Sequence, residues 1–197
     1  MALDAAEFAA FEALVRGNAR RELECRPYLE HAENLLIRQT LLSTVRFIEV
    51  RSFAGDADLV VAADVLTDTG DVERVAYFWE LKAPQCFLFE YDENKNRCRP
   101  TPDFVKAENQ LLHYLDEAVG SDSARTRFGV MDRKNIRPGG IIIGSKDRIL
   151  RSPARASDVE LAQSALKMRT DRLYYSQGIR VLHWDRVLDW VRPTNII

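Results

Sequence analysis

Asp58, Glu80 and Lys82 are the residues of this sequence whose types and spacing point to chemistry. Asp58 opens the run Asp58-Leu-Val-Val-Ala-Ala-Asp-Val65, and Glu80 and Lys82 close the run Val75-Ala-Tyr-Phe-Trp-Glu-Leu-Lys-Ala-Pro84. Both runs have the β-branched and aromatic content of strands. The polar segment between them, Thr67 to Glu73, contains a glycine and suits a hairpin loop. Side chains two apart on a strand share a face, so Glu80 and Lys82 point the same way, and pairing of the hairpin can bring Asp58 beside them. Two carboxylates and an ammonium on an apolar sheet are costly unless they serve a purpose. Two carboxylates can hold a hard divalent cation, Mg²⁺ or Mn²⁺. Such an ion lowers the pKa of water and offsets charge on a phosphate. A neighbouring lysine can orient the water or neutralise the scissile phosphate. The chemistry that fits is phosphodiester hydrolysis. The plain alternative is a Glu80–Lys82 ion pair on an edge strand, with Asp58 only ending a turn. Asp56 is a rival to Asp58, two residues upstream on the same face, whereas Asp64 lies at the far end.

The elements that must position these groups follow from local patterns. Thr101-Pro-Asp103 starts a helix, with Thr101 as N-cap and Pro102 in the first turn. It runs to about Ala118 with Phe104, Ala107, Leu111, Leu115 and Ala118 as its apolar stripe. Lys106, Gln110 and Tyr114 lie four apart on a second, polar stripe. If this helix flanks the hairpin, Lys106 and Gln110 can reach the phosphate or the attacking water; otherwise Gln110 and Tyr114 only hydrogen-bond their neighbours. Upstream, residues 4–17 and 20–43 read as helical, the second interrupted or started by Pro27. Glu24, Glu30 and Glu33 lie on it, and any of them could add an acid to the site. A strand is expected over Val45–Phe53, another over Cys86–Tyr91, with a return near Arg97–Arg99, and a buried one over Gly139–Gly144. A helix from about Ser157, a strand over Ile179–Trp184 and a last helix capped by Asp185 close the chain. Helices, then strands, then alternating helix and strand suit an α/β sandwich with a mixed central β-sheet flanked by helices. The expectation is a single domain over 1–197, with a helical lead-in over 1–43 and a core over 44–197.

With 197 residues the chain can bury a sizeable core. No apolar run approaches the ~20 residues that span a bilayer, so no membrane association is expected. The N-terminus is acidic and lacks a secretory n-region. Three cysteines without a Cys-x-x-Cys pair read as reduced thiols. Together these point to the cytoplasm. The three histidines are scattered, which argues against a histidine metal centre. The net charge is −2, but Ser123 to Arg155 carries nine basic residues against two acids, +7 in a chain whose remainder is −9. That segment, with Arg133, Lys134 and Arg137 at its centre, can attract phosphates; solvated loops are the alternative.

Acid, spacer, then Glu-x-Lys on a hairpin resembles the PD-(D/E)XK restriction-endonuclease-like core, with Ala57 where the motif's name has proline. The longer series narrows this. Asp58, Glu80-Leu-Lys82-Ala-Pro84, the helix Phe104 to Tyr114 with Gln and Tyr four apart, the Ile-Ile-Ile-Gly strand and the closing strand and helix together resemble the nuclease domain of Shedu anti-phage defence proteins, from about residue 20 to 190. The resemblance implies a metal-dependent DNA endonuclease. Asp58 and Glu80 would be its metal ligands, with Lys82 assisting the water and Gln110 supporting nucleophile or phosphate. It also implies double-stranded DNA as partner, homo-oligomers and a regulatory domain or partner protein. An inactive nucleic-acid-binding or assembly module of the same fold is the alternative function.

Overall fold

The computed structural model describes residues 2–37, 41–51, 56–153 and 155–193. In chain order the elements are α1 (Ala5–Ala13), α2 (Glu22–Cys25), α3 (Glu33–Leu36), β1 (Leu41–Arg51), β2 (Asp56–Leu66), β3 (Val72–Leu81), β4 (Phe89–Asp92) and β5 (Arg97–Pro100). Then follow α4 (Pro102–Gly120), α5 (Asp122–Phe128), β6 (Ile136–Ile142), β7 (Leu150–Arg151), α6 (Ala156–Arg169), β8 (Arg180–Leu182) and α7 (Trp184–Val191). β1, β2 and β3 form an antiparallel meander, to which β6 and then β8 add in parallel. The result is a mixed five-stranded sheet in the order β1-β2-β3-β6-β8, with a separate small sheet β5-β4-β7 beside it.

The period of two in β2 and β3 decides what each face meets. Leu59, Val61 and Val65, with Tyr77, Trp79 and Leu81, pack against Phe11, Leu29, Leu36 and Trp184 from the N-terminal segments and α7. Val60, Ala76 and Phe78 face the other way, onto Phe104, Ala107 and Leu111 of α4 and Phe128 of α5. Helices therefore cover both faces of the sheet. Arg180 ties the layers together. Its guanidinium stacks 4.7 Å from the Trp79 ring centroid and donates to the carbonyls of Leu35 and Leu36 at 2.5 and 2.7 Å. The end of the lead-in is thereby fastened to β8.

Several expected boundaries shift. The region 20–43 is not one helical stretch: α2, a 3₁₀ turn over Arg26–Ala32 and the short α3 follow one another, and β1 already begins at Leu41. Leu41 pairs with Val65, so the long antiparallel ladder overrides the helical preference of the leucines there. This also places the start of the sheet before residue 44. Residues 38–40 and 52–53, parts of two expected elements, lie outside the described residues. The expected strand over Cys86–Tyr91 starts only at Phe89 and joins the small sheet. The last helix begins at Trp184 with His183 at its N-cap position. Asp185 instead accepts bonds from the Arg16 guanidinium at 2.5 Å and the Lys146 backbone N–H at 2.6 Å. Among the described residues no helix is long and apolar enough to cross a membrane.

Candidate active site

Leu59 stands opposite Trp79 in the β2–β3 ladder, so the next position places Asp58 alongside Glu80. Glu80 continues the Ala76–Phe78 face toward α4 and is completely buried. Its Oε1 accepts from Lys82 Nζ, and the same ammonium donates to Gln110 Oε1 at 2.9 Å. Gln110 Nε2 in turn donates to the Tyr114 hydroxyl at 3.1 Å. Asp58 Oδ2 accepts the Leu81 backbone N–H at 2.9 Å. Lys82 itself is fixed through its backbone: its N–H donates to the Ile142 carbonyl at 2.8 Å, and its carbonyl accepts from Trp184 Nε1 at 2.7 Å. On the helix side, the Thr101 hydroxyl accepts from the Phe104 N–H and donates to the Phe87 carbonyl at 2.6 Å. The N-cap that starts α4 thus also anchors it to the chain just beyond Lys82.

Burial, reinforced by the Asp58 charge, pushes the Glu80 carboxyl up to about 8, although Lys82 opposes the shift. Burial likewise raises Asp58, against the Leu81 N–H and Lys82, which hold it down; the Glu22 carboxylate adds to the upward push. In the native protein without a bound cation, Glu80 holds a proton that the unfolded chain gives up near its ordinary value of 4.5. The native state then binds more protons than the unfolded state between those two values. Stability is therefore full below about pH 4.5 and is lost as pH rises toward 8. Glu80→Gln is expected to flatten that loss, which amounts to a few kcal/mol. Urea unfolding at pH 5, 7 and 8.5 in EDTA checks this (the pH values chosen at roughly the ends and middle of that window). Parallel pH profiles for the two proteins would contradict it.

The donor set fits a hard divalent cation. Glu80 Oε2 is buried with no N–H donor to it; its neighbour is the Asp58 carboxyl, with which it shares the proton, and a cation would take the place of that proton between the two oxygens. Asp58 offers a second carboxylate beside it. Among the described residues no group of three or more His, Cys, Asp or Glu is arranged around one point, and the carboxylates set side by side here are the pair Asp58 and Glu80. Mg²⁺ tolerates such a pair, because it keeps several waters.

A family model described as Shedu protein SduA, C-terminal, matches residues 19–188. The chain belongs to this family. No curated protein matches it. The Shedu match spans every group just described, from Glu22 through Asp58, Glu80, Lys82, Gln110 and Tyr114 to Trp184.

Other sequence candidates fall differently within the Shedu fold. Lys106 is exposed and shares an open cleft with Gln110. Arg133, Lys134 and Arg137 lie at the opposite end of the sheet. Arg137 pairs with Tyr77, whereas Glu80 pairs with Ile141, so the basic group sits about 10 Å or more back along the strands. There Lys134 contacts Glu73 and Asp132, each at 3.7 Å. Asp64, at the far end of β2, is bound by Arg74 at 2.5 and 2.7 Å. Of the lead-in acids, Glu24 accepts from the backbone N–H groups of Arg20 and Arg21, and Glu33 accepts from the Thr44 hydroxyl at 2.7 Å. The acid that bears on Asp58 is Glu22, in the first turn of α2. Spacing alone does not single it out from Glu24; the turn that breaks the lead-in decides which acid faces the sheet. Tyr114 is also more than part of a polar stripe. It is buried, and its hydroxyl fixes the Gln110 amide so that the oxygen faces Lys82. Tyr114→Phe should keep the fold and cost about 10-fold in turnover through misorientation of Gln110. Gln110→Ala in the same background should then add little to its own effect, a double-mutant cycle that a merely structural Tyr114 would not satisfy.

Proposed function

We propose that this Shedu protein is a metal-dependent DNA endonuclease acting in anti-phage defence, built on a PD-(D/E)XK core within a single domain over residues 1–197. The observation that carries the reading is the Lys82 ammonium held between Glu80 and Gln110, with the buried Glu80 carboxyl set directly against that of Asp58. A structural ion pair has no use for a second buried carboxyl that repels the first. Family membership supports DNA as substrate and the defence role, and the site supports the reaction class.

Asp58 and Glu80 would hold Mg²⁺ or Mn²⁺, and Glu22 is the lead-in acid placed to support them. The cation supplies charge neutralisation at the phosphate and activation of water. Glu80 would give up its proton to serve as a ligand. Lys82 uses two of its three N–H donors on Glu80 and Gln110, which aims the third at an incoming phosphate oxygen. Gln110, locked by Tyr114, holds that ammonium in place and limits the freedom of the attacking water beside it. Double-stranded DNA, a second copy of the chain and a regulatory domain or protein are the partners this function would require.

The test is plasmid cleavage with Mg²⁺, with Mn²⁺ and with EDTA, beside Glu80→Ala. Metal-dependent cutting that the variant lacks is the expected result. Binding without cutting under every condition would favour an inactive nucleic-acid-binding module.

A further inference from the structure

We infer that the DNA backbone lies along a track that leaves the active site through Lys106, crosses the small sheet over Arg99 and Arg151, and does not use the Arg133–Arg137 cluster. This rests on the nuclease reading of the site.

Gln110 of α4 joins the site to the open surface beside it. Gln110, which touches Lys82, lines an open cleft of about 810 Å³ together with Lys106, His113, Val105, Arg99 and Glu90. A second cavity of about 510 Å³ shares Glu90 and continues to Arg151 and Arg155. The two are joined across the small sheet, whose register arranges the charges. Glu90 on β4 stands opposite Arg99 on β5 and opposite Arg151 on β7. One acid is therefore flanked by an arginine on each side in a single cross-strand row, and neighbouring strands lie only about 4.8 Å apart. Glu90 is engaged with Arg99 at 3.0 Å. Arg151 is steadied from below: its guanidinium lies 5.5 Å from the Phe87 ring centroid, and Arg148 lies 4.9 Å from the same ring. Phe87 belongs to the segment that follows Lys82 and is pinned by the Thr101 hydroxyl. The row of arginines is thus built on the same short stretch that fixes the catalytic lysine. Ser152, directly after Arg151, has φ +49, a left-handed turn that bends the chain away after the arginine.

This placement suits the backbone phosphates of DNA. Arg99 and Arg151 are forked donors, exposed, and spaced by two strands, while Lys106 adds a point charge next to Gln110. Contacts to phosphates would position the strand without reading its sequence.

Two triple variants separate this track from the far cluster. Binding of a fluorescein-labelled duplex is followed by anisotropy in EDTA, across a salt series, with circular dichroism to check the fold. Arg99→Ala, Lys106→Ala and Arg151→Ala together should weaken binding by at least ~30-fold and lower the slope of log affinity against log salt by about 3. Arg133→Ala, Lys134→Ala and Arg137→Ala together should change affinity less than about twofold. Lys106→Glu alone, at an exposed position, serves if the first triple variant misfolds, and should weaken binding by ~10-fold. Loss in the far-cluster variant with none in the first, or no loss in either while metal-dependent cleavage persists, overturns the track and leaves the nuclease reading intact. Absence of both binding and cleavage in the wild-type protein overturns the nuclease reading itself.

Discussion

Lys82→Ala is expected to reduce metal-dependent plasmid cleavage by at least about 10³-fold, equivalent to roughly 4 kcal/mol of transition-state stabilisation. The ammonium hydrogen-bonds both Glu80 and Gln110. Removing it takes away the charge aimed at the phosphate and frees the Gln110 amide at once. The fold should survive, because Glu80 already sits high, at about 8, and keeps its proton at neutral pH all the more when the lysine no longer opposes it. A buried carboxylate left charged would be strongly destabilising, whereas a protonated carboxyl is not. Lys82→Met, which keeps the aliphatic stem packed, should be as inactive and more stable. Glu80→Ala should lose activity to the same extent by another route, through loss of the cation. The two routes, loss of the cation and loss of the ammonium, are told apart by raising the metal concentration: excess Mn²⁺ should restore part of the activity of the ligand variant Asp58→Asn, which keeps Glu80, and none of that of Lys82→Met. The assay is cleavage by purified protein at neutral pH, with thermal unfolding to establish that each variant is folded. Wild-type rates from either Lys82 variant would remove the lysine from the chemistry.

That Asp58, Glu80 and Lys82 come together is legible in the sequence because a hairpin has few degrees of freedom. Once β2 and β3 were read as paired strands, the period of two placed Glu80 and Lys82 on one side, and the loop length set Asp58 near them. Gln110 was legible as a candidate because the Thr101-Pro102 start fixed the phase of α4. What sequence patterns do not carry is where separate elements come to rest on one another. Nothing in the spacing of Glu22, Glu24, Glu30 and Glu33 says that a 3₁₀ turn over Arg26–Ala32 would break the lead-in and leave Glu22 bearing on Asp58. The density of charge in Ser123–Arg155 suggested one basic surface. The parallel strand β6 runs through that segment and carries its two halves apart: Arg133 and Lys134 precede the strand, and Arg148 and Arg151 follow it at the end where the site lies. Likewise the strand expected over Cys86–Tyr91 was real in part, but Thr101 and β7 draw it out of the main sheet into a second one.

The largest effect on the fold should come from Gly140→Ala. Gly140 has φ +148, and a Cβ there would stand 2.1 Å from the Arg180 carbonyl oxygen and 2.8 and 2.9 Å from its carbonyl carbon and nitrogen. All three are backbone atoms of β8, the partner strand, so no rotamer change can make room. Either β8 moves off or β6 does. If β8 moves, Arg180 loses its hold on the Leu35 and Leu36 carbonyls and its stack on Trp79, and the lead-in comes loose from the sheet. If β6 moves, Ile141 and Ile142 shift, and with them the neighbours of Glu80 and the carbonyl that holds the Lys82 backbone. A clash combined with an unfavourable φ places the cost at about 3–5 kcal/mol. That corresponds to a fall in Tm of about 6–20 °C for a chain of this size. Gly120→Ala is the matched control. It lies at the end of α4 with nothing within 4 Å of the added carbon, and should be neutral or stabilising by up to ~1 kcal/mol. A Gly140→Ala protein that melts with the wild type would mean that β6 and β8 do not approach as described. One that melts early yet cleaves normally below its transition would mean that the catalytic lysine is held without help from β6, leaving the Trp184 indole as its remaining backbone anchor.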